Sequence, residues 1–244
     1  MNQQDLRILY MQIREDQMTR EEELNEFIRY SGLTRDQFTV LNTFDTPSFP
    51  PTVIEGYDAL FVGGSSDASV REPETYPFVE PSKKLIRYCL EQSIPVFASC
   101  FGFQVAVEAL GKKVILDKER MEMGTYPISL TDAAKIDPLF HDTPNNFIAV
   151  SGHKERAAEL PDGVTLLAYT DLCPYHAIRV DGKPFYAFQF HPEIDKDDFC
   201  GRITRYKERY LDSDGALQKV LDTAQPTPEA NKLVRKFVER ILLA

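Results

Sequence analysis

The sequence lacks any run of about 18 apolar residues, which leaves no segment able to cross a membrane as a helix. Its N-terminus, Met1-Asn2-Gln3-Gln4-Asp5, has neither the basic nor the apolar region of a secretory signal. Basic residues are outnumbered: 28 Lys and Arg against 38 Asp and Glu give a net charge of −10, which argues against nucleic acid or an anionic membrane as partner. The four cysteines, Cys89, Cys100, Cys173 and Cys200, are widely spread. They form no C-x-x-C pair and no Cys/His pattern of zinc spacing, so neither a metal site nor a cofactor is expected. Internal repeats, low-complexity segments and a Walker motif are also absent from the sequence. What remains is a chain of 244 residues, 43% hydrophobic, long enough for one domain with a full core.

The most informative stretch is Ile94-Pro95-Val96-Phe97-Ala98-Ser99-Cys100-Phe101-Gly102-Phe103-Gln104. An apolar run ends in a cysteine flanked two positions away by Ala98 and Gly102, and a helical pattern then begins. That is the layout of a nucleophile elbow, in which the turn is too tight for large side chains on either side. The following helix would aim its first amides at whatever binds there. Taken alone, Cys100 could equally be a core filler. A second segment, Phe188-Gln189-Phe190-His191-Pro192-Glu193, changes the balance. It ends an apolar strand with a base and an orienting carboxylate, completing a Cys100, His191, Glu193 constellation.

Together these motifs resemble class I glutamine amidotransferases, the triad family, whose elbow reads G-x-C-x-G-x-Q and whose later motif reads H-P-E. Ala98 stands where that family usually has glycine, so a slightly strained turn is expected. The resemblance covers roughly residues 6 to 195 and implies several roles. Cys100 would be the nucleophile, His191 the base and Glu193 its orienter. The Gly64 and Phe101 amides would hold the oxyanion, and Gln104 would contact the substrate. The segment Ser151-Gly152-His153 resembles the turn that holds the substrate's α-carboxylate and α-amino groups by backbone contacts. Each has an alternative reading: Gly63-Gly64 as a plain turn, Gln104 as a core-edge amide, His153 as a capping or structural histidine. His141 reads as loop, His176 as strand surface, and Cys89, Cys173 and Cys200 as structural or incidental.

The hydrophobic pattern supports an α/β chain. Strands are expected at Leu6–Met11, Phe38–Asn42, Tyr57–Val62 and Ile94–Ser99, alternating with helices over Glu21–Tyr30, Pro77–Leu90 and the elbow helix. This predicts a flavodoxin-like, doubly wound, mostly parallel sheet with helices on both faces. Further strands at Lys113–Leu116, Tyr126–Leu130, Phe147–His153, Thr165–Tyr169, His176–Val180 and Phe185–Phe190 read as an added antiparallel region, with Asp181-Gly182 as a hairpin turn. Charged helices follow over Asp195–Leu211 and Pro228–Leu243. A single domain over 1–244 is expected, with no acceptor domain attached.

The chemistry implied is cleavage of the glutamine side-chain amide through a γ-glutamyl thioester, releasing ammonia that a separate synthetase subunit could accept. The alternative is a stand-alone γ-glutamyl peptidase. A non-catalytic interaction module and the chaperone and deglycase branch of flavodoxin-like proteins rank lower. The substrate would be glutamine or a γ-glutamyl compound. A reactive thiol suits the reducing cytosol. A homo-oligomer stays open, since no heptad or large apolar stripe argues for one.

Overall fold

The computed structural model describes residues 2–207 and 214–244. The described residues build a nine-stranded sheet in the order β2-β1-β3-β4-β11-β10-β9-β6-β7. The parallel half comprises β1 (Ile8–Gln12), β2 (Phe38–Asn42), β3 (Ala59–Val62), β4 (Val96–Ser99) and β11 (Phe185–Phe188). The antiparallel half adds β10 (Ala177–Val180), β9 (Val164–Tyr169), β6 (Glu122–Leu130) and β7 (Phe147–His153). A small ribbon pairs β5 (Val114–Leu116) with β8 (Glu155–Ala157).

Helices cover both faces of the parallel half. On one side lie α1 (Gln17–Ser31) and α6 (Pro228–Phe237); on the other lie α2 (Val79–Gln92) and α3 (Phe101–Ala109). The helix α1 begins where the Asp16 side chain accepts from the Thr19 amide at 3.0 Å and ends at Gly32, whose φ of 74° suits glycine. Its Leu24 and Phe27 face the sheet because they fall on one side of the helix. There Phe97 is central, with ring centroids 4.8 Å from Phe188, 5.4 Å from Phe61 and 5.3 Å from Phe237. Each such pair contributes about 1 kcal/mol beyond its burial.

Three boundaries differ from the sequence reading. β6 begins at Glu122 rather than near Tyr126, because its first residues pair with Ser151–His153 of β7. The short β8 has no signal of its own in the sequence; only its partner β5 gives it a ladder. The charged segment after Asp195 forms α4 (Lys196–Arg205), and the rest of that expected helix runs partly outside the described residues. A further helix, α5 (Asp214–Thr223), lies between it and α6. Among the described residues no helix is long and apolar enough to cross a membrane.

Candidate active site

β4 delivers Cys100 to the carboxyl end of the parallel sheet, and α3 starts at the next residue. Cys100 adopts φ 50° and ψ −101°, a conformation that costs of order 1–3 kcal/mol in a residue with a Cβ. The strain therefore sits on the cysteine itself; Ala98 remains in regular strand pairing with Val62 and Ala187. The turn is held by the Cys100 amide, which donates to the Phe188 carbonyl at 2.7 Å. Gly102 is required by close approach: a Cβ there would lie 2.8 Å from Val62 Cγ1 and 3.0 Å from the Val62 carbonyl oxygen.

The adjacent strand β11 carries the chain to His191. The His191 amide donates to the Val150 carbonyl at 2.9 Å, which ties it to β7. Its Nδ1 lies 2.7 Å from Glu193 Oε1, and Cys100 neighbours the ring from the other side. Glu193 is itself positioned, since Ser99 Oγ donates to the same Oε1 at 3.0 Å. Burial alone would keep the imidazole neutral, but the adjacent Cys100 and Glu193 raise its pKa to about 10. The fold thus brings together Cys100, His191 and Glu193, and adds Ser99.

Two cavities meet at this line. One, of about 150 Å³, is walled by Cys100, Phe101, Gln104, Gly152, His153 and Glu155. The other, of about 40 Å³, lies behind His191 against Phe199, Arg202 and Ile203 around α4. Ser65, Met123 and Gly152 border both. Phe101 opens α3, so its amide has no intrahelical acceptor. Gln104 is buried, with its Nε2 donating to the Glu155 carbonyl at 3.1 Å. The Gly152 carbonyl lies 4.0 Å from the Cys100 sulfur.

Gly64 and His176 depart from expectation. The Gly64 amide does not face the substrate cavity; it donates to Glu23 Oε1 at 3.0 Å. Glu23 is fully buried in α1 and gathers donors: Arg14 Nη2 at 2.7 Å, Arg14 Nε at 3.0 Å and the Tyr10 hydroxyl. A buried carboxylate needs such partners, and Gly64 supplies one. The value of Gly64 is instead its missing side chain, since a Cβ would meet His191 Cε1 at 2.7 Å.

The Ser151 side chain has no exposure, and its Oγ donates to Glu122 Oε2 at 2.7 Å; the substrate contacts expected of this segment are through its backbone, and Gly152 and His153 border the larger cavity. His176, which reads as strand surface in the sequence, is fully buried with Nε2 2.6 Å from the same oxygen. His153 does border the larger cavity, but its Nε2 also turns to Glu122, at 3.2 Å. Thr170 Oγ1 donates to the other Glu122 oxygen at 2.6 Å. Despite the cost of burial, these hydrogen bonds hold the Glu122 carboxyl well below the usual range, while burial lowers the His153 pKa.

Sequence reasoning misses Glu23 and Glu122. Each is an acidic residue in a charged stretch, with no local sign that the fold would bury it.

A parallel sheet that presents a cysteine on a strained elbow, beside a histidine and glutamate from the next strand end, defines an α/β protein built around a thiol site. The model of the family described as glutamine amidotransferase class-I matches residues 29–205. The chain belongs to that family.

Among relatives, a glutamine-hydrolyzing GMP synthase component of Methanocaldococcus jannaschii, one subunit of that enzyme, is 30% identical over 129 residues, covering 53% of this chain and 66% of its own length. The glutamine-hydrolyzing GMP synthase of Vibrio atlanticus is 35% identical over 115 residues, 47% of this chain and only 22% of that protein. The chain thus spans less than two thirds of each. Among solved structures, a glutamine amidotransferase from Thermotoga maritima superposes with a TM-score of 0.78 at 22% identity, covering 98% of this chain and 99% of its own. One from Methylobacillus flagellatus gives 0.70 at 16% identity, over 97% and 96%. These two likenesses establish the flavodoxin-like fold with its antiparallel extension.

Proposed function

We propose that the chain hydrolyses the side-chain amide of glutamine. The observation that carries this reading is the continuous line from Ser99 through Glu193 and His191 to Cys100, opening on a substrate-sized cavity on one side and a very small one on the other.

In the resting state His191 holds its proton beside the sulfur. The Cys100 sulfur attacks the amide carbon, and the Phe101 amide donates to the oxyanion that forms. The C–N bond then breaks as His191 gives its proton to the leaving nitrogen, releasing ammonia and leaving a γ-glutamyl thioester. His191 next takes a proton from water, which attacks the thioester. Collapse frees glutamate and returns Cys100 and the protonated His191 to their resting arrangement. Glu193 keeps the imidazole in the tautomer this requires.

The larger cavity has Asp67, Glu72 and Glu155 on its walls together with Lys154. That charge set suits the ammonium and carboxylate of a free α-amino acid. The 40 Å³ cavity has room for water-sized molecules such as ammonia. Membership of the glutamine amidotransferase class-I family favours glutamine over γ-glutamyl peptides. The archaeal relative is by name a glutamine-hydrolysing subunit, which supports delivery of the ammonia to a separate synthetase.

The test is ammonia release from glutamine, and separately from γ-glutamyl amides, by the purified chain and by Cys100→Ala. Turnover of glutamine that is lost in the variant supports the proposal. Turnover of γ-glutamyl peptides without glutamine would replace it with the peptidase reading.

A further inference from the structure

The Glu122 cluster does more than fill the core. His153 at the end of β7, Cys173 in the β9–β10 connection and His176 just before β10 each offer a ligand atom within 4.8 Å of the others, and all three are buried. Cys173 and His176 lie three residues apart in one connection, and the fold brings His153 to them from β7.

The carboxylate fixes the chemistry of both rings. An ionised carboxylate only accepts, so each Nε2 facing Glu122 Oε2 carries the hydrogen. Each Nδ1 is then a bare lone pair. For His176 that atom is buried with no hydrogen-bond partner among the described residues. An unanswered buried acceptor is costly and calls for an explanation. The arrangement, with imidazole Nε2–H on a carboxylate and the opposite nitrogen vacant, is the one that metal-binding histidines adopt.

We propose that His153, Cys173 and His176 form a binding site for a borderline-soft divalent cation, zinc above all, with Glu122 as the outer carboxylate. Two imidazoles and a thiolate are the donor set that zinc prefers over magnesium or calcium. Charge also balances: one dication meets the Cys173 thiolate and the Glu122 carboxylate, so a fully buried volume stays neutral. Zinc bonds of about 2.0–2.3 Å put tetrahedral ligands roughly 3.5 Å apart, so side-chain movements of about 1 Å close the site. His153 borders the cavity that contains Cys100, which gives the ion a route inward. With three protein ligands, a fourth position remains for water. The ion would tie β7 to the β9–β10 connection, and Gly152, next to His153, is the residue whose carbonyl lies against the Cys100 sulfur. The site would therefore stiffen the wall of the substrate cavity rather than take part in the bond cleavage.

The test uses the full chain carrying Cys100→Ala, so that the catalytic thiol cannot bind metal. Stoichiometric cobalt, added to metal-free protein, should produce a thiolate-to-cobalt charge-transfer band and the intense visible bands of a tetrahedral site, and zinc should bleach both. Adding Cys173→Ser should remove the charge-transfer band, and His176→Gln should weaken binding by more than the roughly 10–100-fold expected of Glu122→Gln. Circular dichroism and thermal melting of each variant report whether it folds. A folded Cys100→Ala protein that gives no charge-transfer band overturns the proposal without recourse to the other variants. So does a band that survives Cys173→Ser, since the thiolate would then come from elsewhere.

Discussion

Replacing Gly64 with alanine tests how tightly the glycine turn is pressed against His191. The new Cβ would sit 2.7 Å from His191 Cε1 and 3.1 Å from Arg14 Nη2, so the ring must yield by about 0.7 Å to reach ordinary contact. The loop cannot easily retreat, because the Gly64 amide is bound to Glu23 at 3.0 Å. The ring is also pinned, by Glu193 at 2.7 Å and by its own backbone bond to Val150. Whichever yields, the line between His191 and Cys100 is disturbed. A misplacement approaching 1 Å costs about 100-fold in rate, or about 2.7 kcal/mol of barrier. Gly64 borders neither cavity, so substrate binding is spared. The expected result is a kcat for glutamine hydrolysis reduced about 100-fold with KM little changed, and a stability loss of about 1–3 kcal/mol from overpacking. Steady-state ammonia release and thermal melting measure the two separately. A kcat within about threefold of the parent would refute the steric argument.

Cys100→Gly should abolish turnover yet raise stability by about 1 kcal/mol, because glycine relieves the strain at φ 50°; an unchanged or lower melting temperature contradicts this. Glu23→Gln should cost about 3–5 kcal/mol in denaturant unfolding, since it breaks the buried ion pair with Arg14; a loss below about 1 kcal/mol would show that the pair is not needed. The His191 imidazole, with its pKa raised to about 10, should remain charged at pH 8 in an NMR titration, and Glu193→Gln should lower that midpoint. Because the folded value exceeds the unfolded one of about 6.5, the stability it contributes is complete below about pH 6.5 and lost as pH rises through about 10. Parent protein should therefore lose more stability over that window than His191→Gln does, and equal losses would reverse the assignment.

The motifs are legible because their causes are local. A strand, a tight turn and a helix N-terminus occupy eleven consecutive residues around Cys100, and small residues at the turn are demanded by contacts such as that of Gly102 with Val62. His191 and Glu193 are two residues apart at a strand end, so the sequence alone pairs them. Alternation of apolar strands and amphipathic helices likewise determined the doubly wound half, and Asp181-Gly182 the hairpin between β10 and β11, with Gly182 at φ 68°.

Only the tertiary structure decided what surrounds the motifs. Glu23 sits in a helix rich in acidic residues, and it is buried because Arg14, Tyr10 and Gly64 converge on it from three segments. His176 resembles strand surface because alternation shows two faces but not which neighbour covers each; β6 and β7 supply a carboxylate and a second imidazole. The Ser151 side chain turns inward for the same reason, since the pairing of β7 with β6 points it at Glu122. Such groups are governed by partners far apart in the chain, and a buried charge is stable only where several of those partners arrive together.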